Sequence, residues 1–170
     1  MKRVLILFYL IGCSNMNYKD TVDFVDLEKY QGDWYVMAAR PTYFEKEVHN
    51  GIETYHIDGK KIKIKFSYRK GDFNGPKKEV QQSGEVYNEK TNAHWKVSPL
   101  WPLKFDFLVI ALADDYSWTA VGVPSGKYLW VMSRDYEISR EQVDHMLEKV
   151  KAAGYPIHNI EYVPHDYTSK

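Results

Sequence analysis

Polar and apolar side chains alternate without a break over residues 61–68. The apolar side chains of this run are Ile62, Ile64, Phe66 and Tyr68. Lysines and a serine occupy the other face, so the run predicts a β-strand with one buried side. The preceding residues, Asp58-Gly59-Lys60, are typical of a tight turn, which predicts a hairpin.

Short strand-like runs separated by turn residues continue through most of the chain. The predicted strands cover residues 34–40, 51–57, 61–68, 78–87, 93–98, 105–113, 118–123 and 128–133. Strands at hairpin spacing, eight in number, predict an all-β fold, an antiparallel up-and-down β-barrel. Such a barrel is either filled by side chains or holds one small ligand.

One helix is predicted after the strands. Ser139 and Gln142 fit a capping box at its start, and Gly154 ends it. An apolar stripe follows the cap at Val143, Met146, Leu147 and Val150. The stripe must be buried, and we expect it to pack outside the last barrel strands. The expected barrel contacts are Leu129, Val131, Val121 and Val123. Residues 157–163 are predicted to form a final short strand.

The first residues read as a targeting segment. Lys2 and Arg3 precede an apolar run that is too short to span a bilayer, as in a secretory signal peptide. The run ends at Cys13, the only cysteine, and resembles a bacterial lipobox, in which the cysteine receives acyl chains. The alternative is an ordinary signal peptide with a chance cysteine. We therefore predict a signal peptide over residues 1–12, a lipidated Cys13 and a tether over residues 13–23. Residues 24–164 would form the barrel and helix, and residues 165–170 a tail.

Charge and composition exclude some functions. Lys+Arg and Asp+Glu each number 23, which argues against a nucleic-acid-binding face. Aromatic residues make up 15% of the chain, which suits strands and the wall of an apolar pocket. The six histidines show no metal-ligand spacing, and no Gly-x-Ser-x-Gly elbow is present. We expect no catalytic residues, no metal and no cofactor.

Three segments resemble the lipocalins, and the bacterial lipocalins most closely. Gly32-Asp33-Trp34-Tyr35 matches the family's Gly-x-Trp at the first strand, and residues 128–134, ending in Arg134, match the last barrel strand. Residues 81–84 and 107–112 match mid-barrel segments of the bacterial branch. The resemblance spans roughly residues 24–164. One departure is the turn at residues 123–128, which lacks the family's usual aspartate.

The resemblance implies a calyx, a barrel closed at one end. Gly32, Trp34 and Arg134 would close it, with the guanidinium stacked on the indole. Because Ser14 follows the cysteine, analogy with enteric bacteria implies a lipid anchor in the outer membrane, with the protein facing the periplasm.

The resemblance further implies a fatty acid or lysophospholipid inside the barrel, with a role in membrane maintenance. Alternation along the strands predicts the ligand-binding wall: Val36, Ala38, Tyr55, Ile62, Ile64, Phe66, Tyr68, Phe105, Phe107, Val109, Trp118, Tyr128, Trp130 and Met132. The strands are expected to carry no buried, paired charge, so the ligand should be apolar along most of its length. Residues expected at the mouth are Tyr43, Phe44, Trp101, Lys104 and Tyr116. Trp101, between two prolines, is the best of these and is also a candidate dimer or membrane contact.

The alternatives are a carrier of haem or another hydrophobic small molecule, a lipocalin-fold enzyme acting on a lipid, and a purely structural envelope protein.

Overall fold

The structure is a computed structural model that describes residues 17–42, 45–99 and 102–167. The predicted signal peptide, Cys13, Tyr43, Phe44 and Trp101 lie outside these ranges. What the sequence indicates for them stays a prediction.

An antiparallel barrel of eight strands forms the body of the molecule, as predicted. The strands are β1 (Gly32–Arg40), β2 (Val48–Asp58), β3 (Lys61–Lys70), β4 (Lys77–Val86), β5 (His94–Ser98), β6 (Phe105–Leu112), β7 (Trp118–Gly122) and β8 (Leu129–Ser133). Consecutive strands pair along the sheet, and β1 pairs with both β2 and β8, which closes it. The other elements are α1 (Leu27–Tyr30), α2 (Arg140–Ala152) and β9 (Glu161–Tyr162).

The barrel has two distinct ends. We call the end at which β1 begins and β8 finishes the closed end, because α1 and Arg134 lie across it. The opposite end, the open end, carries the connections at residues 41–47, 71–76, 99–104 and 123–128.

The end of the chain completes the barrel wall. β1 pairs directly with β2 only over its first four residues. Beyond them β9 pairs with the later part of β1 instead. The N–H of Asn50 donates to the Pro164 carbonyl at 2.9 Å, and a ring nitrogen of His165 lies 2.8 Å from the Val36 carbonyl. The segment that follows β9, which includes the first residues of the predicted tail, therefore fills the seam between β1 and β2.

Buried side chains form two clusters separated by the barrel wall. The inner cluster fills the barrel, and the helix-side cluster lies between the barrel and α2. Alternation along β1 breaks between Val36 and Ala38, where the register with β8 shifts at a β-bulge. Ala39 therefore belongs to the inner cluster and Ala38 to the helix-side cluster.

Helix α2 begins and packs as its sequence predicts. Ser139 and Gln142 form the capping box, and Gly154 follows the helix with φ of +83°. Leu129 and Val131 contact the helix side as expected. Val121 was assigned to that contact and instead faces into the barrel.

Val123 meets the helix side through its backbone, which bonds the Tyr155 hydroxyl. The remaining barrel side chains beneath α2 are Met37, Ala38, Leu108, Ile110 and Ala120.

The N-terminal part of the described chain packs against the barrel. Tyr18 is 9% exposed, its N–H donates to the Pro124 carbonyl at 2.8 Å, and its hydroxyl donates to the Ala153 carbonyl. The N–H of Val22 donates to the Val109 carbonyl. The stretch from Tyr18 onward therefore packs on the folded domain, within the range predicted as a tether.

Helix α1 was not predicted. Its four residues are too few to show a helical period, although Asp26 accepts from the backbone of Glu28 and Lys29 as an N-cap. Its last residue, Tyr30, is fully buried.

None of the helices in the described ranges is long and apolar enough to cross a membrane.

Candidate functional site

Trp34 and Arg134 close one end of the barrel, as predicted. The guanidinium of Arg134 lies 3.6 Å from the centre of the Trp34 ring. Its nitrogens donate to the carbonyls of Asp33 at 2.7 Å, Lys29 at 2.8 Å and Tyr30 at 3.1 Å. The Trp34 indole N–H also donates to Tyr30, at 2.9 Å. One arginine thus holds α1 against the start of β1.

Gly32 provides the backbone conformation that this turn needs. Its φ of +93° is a conformation that side chains rarely adopt, and an added Cβ would lie 3.5 Å from the Arg134 guanidinium. The glycine of the Gly-x-Trp motif is therefore required by backbone geometry at the turn into β1.

Aromatic rings fill the barrel directly above this closure. Tyr30 packs edge-on against Tyr55 and Trp95, with ring centroids 5.3 Å apart in both pairs. Trp95 stacks on Phe107 at 5.4 Å, and Phe107 in turn stacks near Trp130 at 6.3 Å. The lower half of the barrel is a packed floor, so space for a ligand can only lie higher.

A carboxylic acid lies on the inner face of β2. Glu53 is 4% exposed and accepts a hydrogen bond from the Tyr55 hydroxyl. Burial raises the pKa of Glu53 to about 7, and the charge of Glu45 adds to the shift. The expectation that no strand carries a buried, paired charge did not foresee this buried carboxyl, whose hydrogen-bond partner is a neutral tyrosine. The signal was present, because alternation that turns Tyr55 inwards also turns Glu53 inwards.

A second carboxylate lies in the connection between β1 and β2. Glu45 accepts a hydrogen bond from the Thr42 N–H at 3.1 Å and lines the same cavity as Trp130. Burial raises the pKa of Glu45 as well. No sequence pattern pointed to this residue, because its inward position depends on the path of a loop.

A cavity of about 150 Å³ lies beneath this connection at the open end. The barrel contributes the apolar side chains of Val36, Ala39, Phe66 and Trp130 to its lining. Glu45, β9 and the following residues form the other side. The cavity therefore joins the inner face of the barrel to the seam that the chain end fills.

Most of the predicted wall does face the barrel interior. Inward-facing residues that were predicted are Val36, Tyr55, Ile62, Ile64, Phe66, Tyr68, Phe107, Val109, Trp130 and Met132. Phe105 pairs with Val97 at the open end of β6 and is 51% exposed there. Tyr128 is half-buried beside Trp130, with ring centroids 6.1 Å apart. Whether these residues contact a ligand stays a prediction.

Two wall predictions and one mouth prediction are wrong in orientation. Ala38 packs in the helix-side cluster because of the bulge in β1. Trp118 packs against the same cluster, outside the barrel. Tyr116 lies at the closed end, where its hydroxyl accepts from the Asp26 N–H at 2.7 Å. Lys104 does lie at the open end, exposed and 2.6 Å from Glu85.

A larger open recess of about 570 Å³ lies outside the barrel, between α2 and the closed end. Its lining includes Trp118, Arg134, Ile138, His145 and Met146. Within the described ranges no group of three or more histidine, cysteine, aspartate or glutamate side chains could hold a metal ion. The barrel interior combines enclosure, apolar walls and buried acids, which makes it the better candidate site.

Comparison with known proteins points to one family. A family model described as a lipocalin-like domain matches residues 25–165. The outer membrane lipoprotein Blc of Escherichia coli K12 is 30% identical over 164 residues, covering 92% of this chain and 90% of that protein. The Blc of Vibrio cholerae is 29% identical over 161 residues, covering 91% of each chain. Temperature-induced lipocalin-1 of Arabidopsis thaliana is 26% identical, covering 88% of this chain and 84% of its own.

Solved structures share the fold at lower identity. Insecticyanin from the tobacco hornworm superposes with a TM-score of 0.63 at 19% identity, covering 89% of this chain and 86% of its own. Lobster apocrustacyanin A1 gives a TM-score of 0.62 at 13% identity, covering 83% and 80%. These likenesses establish the barrel architecture.

Proposed function

The chain belongs to the lipocalin family, and we propose that its barrel binds one amphiphilic lipid, a lysophospholipid or a fatty acid, without catalysing a reaction. The observation that carries this proposal is the inner wall above the packed floor. There Val36, Ala39, Phe66 and Trp130 line a cavity that opens towards the rim. A site of this kind binds an acyl chain mainly through burial of the chain's apolar surface.

The buried acids decide which way the lipid enters. Glu45 and Glu53 both face the inside of the barrel. An anionic carboxylate or phosphate placed beside them would meet the negative charge of Glu45 and would lose its hydration in a medium of low dielectric constant. The acyl chain therefore enters first, and the polar head stays at the open end.

The size of the cavity indicates that the ligand is not fully enclosed. Its volume of about 150 Å³ lies below the roughly 300–1,000 Å³ typical of ligand pockets. A bound chain therefore extends past the rim, where Phe105 is exposed, or displaces the β1–β2 connection. Burial of a dozen methylenes contributes about 10 kcal/mol before ordering and association costs, which is compatible with micromolar affinity.

A blocking substitution in the cavity tests the proposal. We expect Ala39→Phe to weaken binding of lysophosphatidylethanolamine about tenfold or more, because the new ring occupies the space that the acyl chain needs. Displacement of a fluorescent fatty acid measures the affinity. Lys65→Phe, on the outer face of β3, is the matched control and should bind as the parent does.

Equal affinities for the Ala39→Phe and Lys65→Phe proteins would contradict the proposed site. A parent protein that displaces no probe at micromolar lysolipid would contradict the function itself. Thermal melts of both variants check that neither has unfolded.

We further propose that Cys13 carries a lipid anchor in the cell envelope. Support comes from the basic and apolar residues that precede it and from similarity to proteins named outer membrane lipoproteins. Cys13→Ala should move the protein from the membrane fraction to the soluble fraction on cell fractionation. Ser14→Ala is the control and should remain with the membrane. A Cys13→Ala protein that still sediments with membranes would rule out the anchor.

A further inference from the structure

The chain leaves the folded domain at the open end of the barrel. Tyr18 is tied to Pro124, in the connection between β7 and β8, and to Ala153 just beyond α2. Cys13 lies only five residues before Tyr18. Since an extended chain spans at most about 3.6 Å per residue, Cys13 can lie no more than roughly 18 Å from this attachment.

Exposed apolar side chains lie on the strand beside that attachment. Leu103 is 55% exposed and Phe105 is 51% exposed. β6 pairs with β7 through Leu108 and Gly122, so Phe105 and Pro124 lie just beyond this pair, on neighbouring strands and towards the same end. The apolar side chains and the start of the tether therefore share one region of the rim.

The charges around the two ends differ. Lys104 separates Leu103 from Phe105, and Lys127 lies in the same connection as Pro124. Lysines beside exposed apolar groups suit an anionic lipid surface, with the apolar parts inserted and the ammonium groups among the headgroups. The closed end carries exposed lysines too, but its exposed acids are more numerous and include Asp114, Asp115, Asp135 and Glu137, which would be repelled by such a surface.

We propose that the open end of the barrel docks on the bilayer, with Leu103 and Phe105 inserted at the level of the headgroups and Lys104 and Lys127 against anionic lipid. The mouth of the barrel then faces the membrane, and an acyl chain can pass between bilayer and barrel with little exposure to water. The docking rests on the proposed anchor at Cys13 and not on whether the barrel binds lipid.

The closed end offers the matched comparison. Tyr87 is 62% exposed and Phe24 is 56% exposed, so the exposed fraction of each is at least as large as that of Leu103. Tyr87 comes directly after β4, and Phe24 comes directly before Val25, whose N–H donates to Thr91 in the β4–β5 connection. A membrane contact made by the closed end would place these side chains, and not Leu103, in the lipid.

Site-specific fluorescence tests the orientation. Leu103→Cys, Tyr87→Cys and Phe24→Cys each introduce one free thiol into the full chain, which is purified from membranes so that the thiol of Cys13 is acylated and takes no label. Each is labelled with an environment-sensitive fluorophore and reconstituted in vesicles of phosphatidylethanolamine and phosphatidylglycerol. We expect nitroxide lipids to quench the label at position 103 several-fold more strongly than those at 87 and 24, and its emission to shift to the blue. Phosphatidylethanolamine alone should weaken the quenching.

Equal quenching at the three positions, or stronger quenching at position 24 or 87, would overturn the docking proposal. Lysolipid binding measured without vesicles reports on the calyx separately. Loss of that binding with the quenching pattern intact would remove the proposed function and leave the docking in place.

Discussion

Glu53→Gln is expected to stabilise the protein by about 3 kcal/mol above neutral pH and to change little in acid. The carboxyl is buried on β2, and burial raises its pKa to about 7 from its ordinary value of 4.5. In the folded protein the Glu53 carboxyl therefore keeps its proton up to about pH 7. In the unfolded chain the same carboxyl loses its proton near its ordinary pKa. Between the two values the folded state binds more protons, so the stability of the parent protein falls as pH rises. Because glutamine cannot ionise, the Glu53→Gln protein does not lose stability in this way as the pH rises.

Urea denaturation of the parent and variant proteins across this pH range measures the effect. Tyr55→Phe removes the donor to the Glu53 carboxylate and should extend the decline to higher pH, since the ionised form loses its partner and the folded-state pKa rises further. Glu161→Gln, on an exposed position of β9, is the control and should follow the parent. Parallel pH profiles for the parent and Glu53→Gln proteins would show that Glu53 is not held in its protonated form.

Arg134→Ala is expected to lower the free energy of unfolding by about 3 kcal/mol. The substitution removes the stacking on Trp34 and the hydrogen bonds to the carbonyls of Asp33, Lys29 and Tyr30. Arg134→Lys should recover only part of the loss, because an ammonium lacks the planar fork that reaches several carbonyls at once.

Arg140 provides the comparison for this prediction. Its guanidinium also lies over an aromatic ring, 3.0 Å from the centre of Tyr162, and pairs with Asp144 at 3.3 Å. The Arg140 side chain is 65% exposed, so Arg140→Ala should cost less than about 1 kcal/mol. Similar losses for the two alanine variants, measured by urea denaturation, would refute the closing role of Arg134. Lysolipid affinity of Arg134→Lys should be unchanged, because Arg134 lies below the packed floor.

The barrel could be predicted from the sequence because the alternation of polar and apolar residues is enough to identify its strands. Alternation with a period of two, broken by turn residues, located all of the barrel strands and the inner face of β3. The helix was equally clear, since its cap and its apolar stripe are both local patterns. The closure by Trp34 and Arg134 came from the family resemblance, because about 100 sequence positions separate the two residues.

The predictions that were wrong or missing concern features that the alternation of polar and apolar residues does not encode. One extra residue in β1 turned Ala38 outwards and Ala39 inwards. Glu53 was missed for a different reason. Its position in the alternation was correct, but an acid was assumed to face water. Glu45 and the size of the cavity depend on the path of a loop and on how side-chain volumes fill the barrel, and neither follows from the spacing of residues.

Closure of the seam between β1 and β2 by residues 161–167 makes the wall beside β1 depend on a segment that is synthesised long after that strand. A ribosome makes the first barrel strand early and the sealing strand last. Until the final residues are free, the backbone groups of Val36, Met37 and Asn50 lack the partners that they have in the finished protein. A nascent or partly translocated chain therefore presents an open slot beside β1, where another extended segment could pair instead. Proteins truncated before residue 161 should for this reason aggregate, even though every strand of the eight-stranded barrel is still encoded.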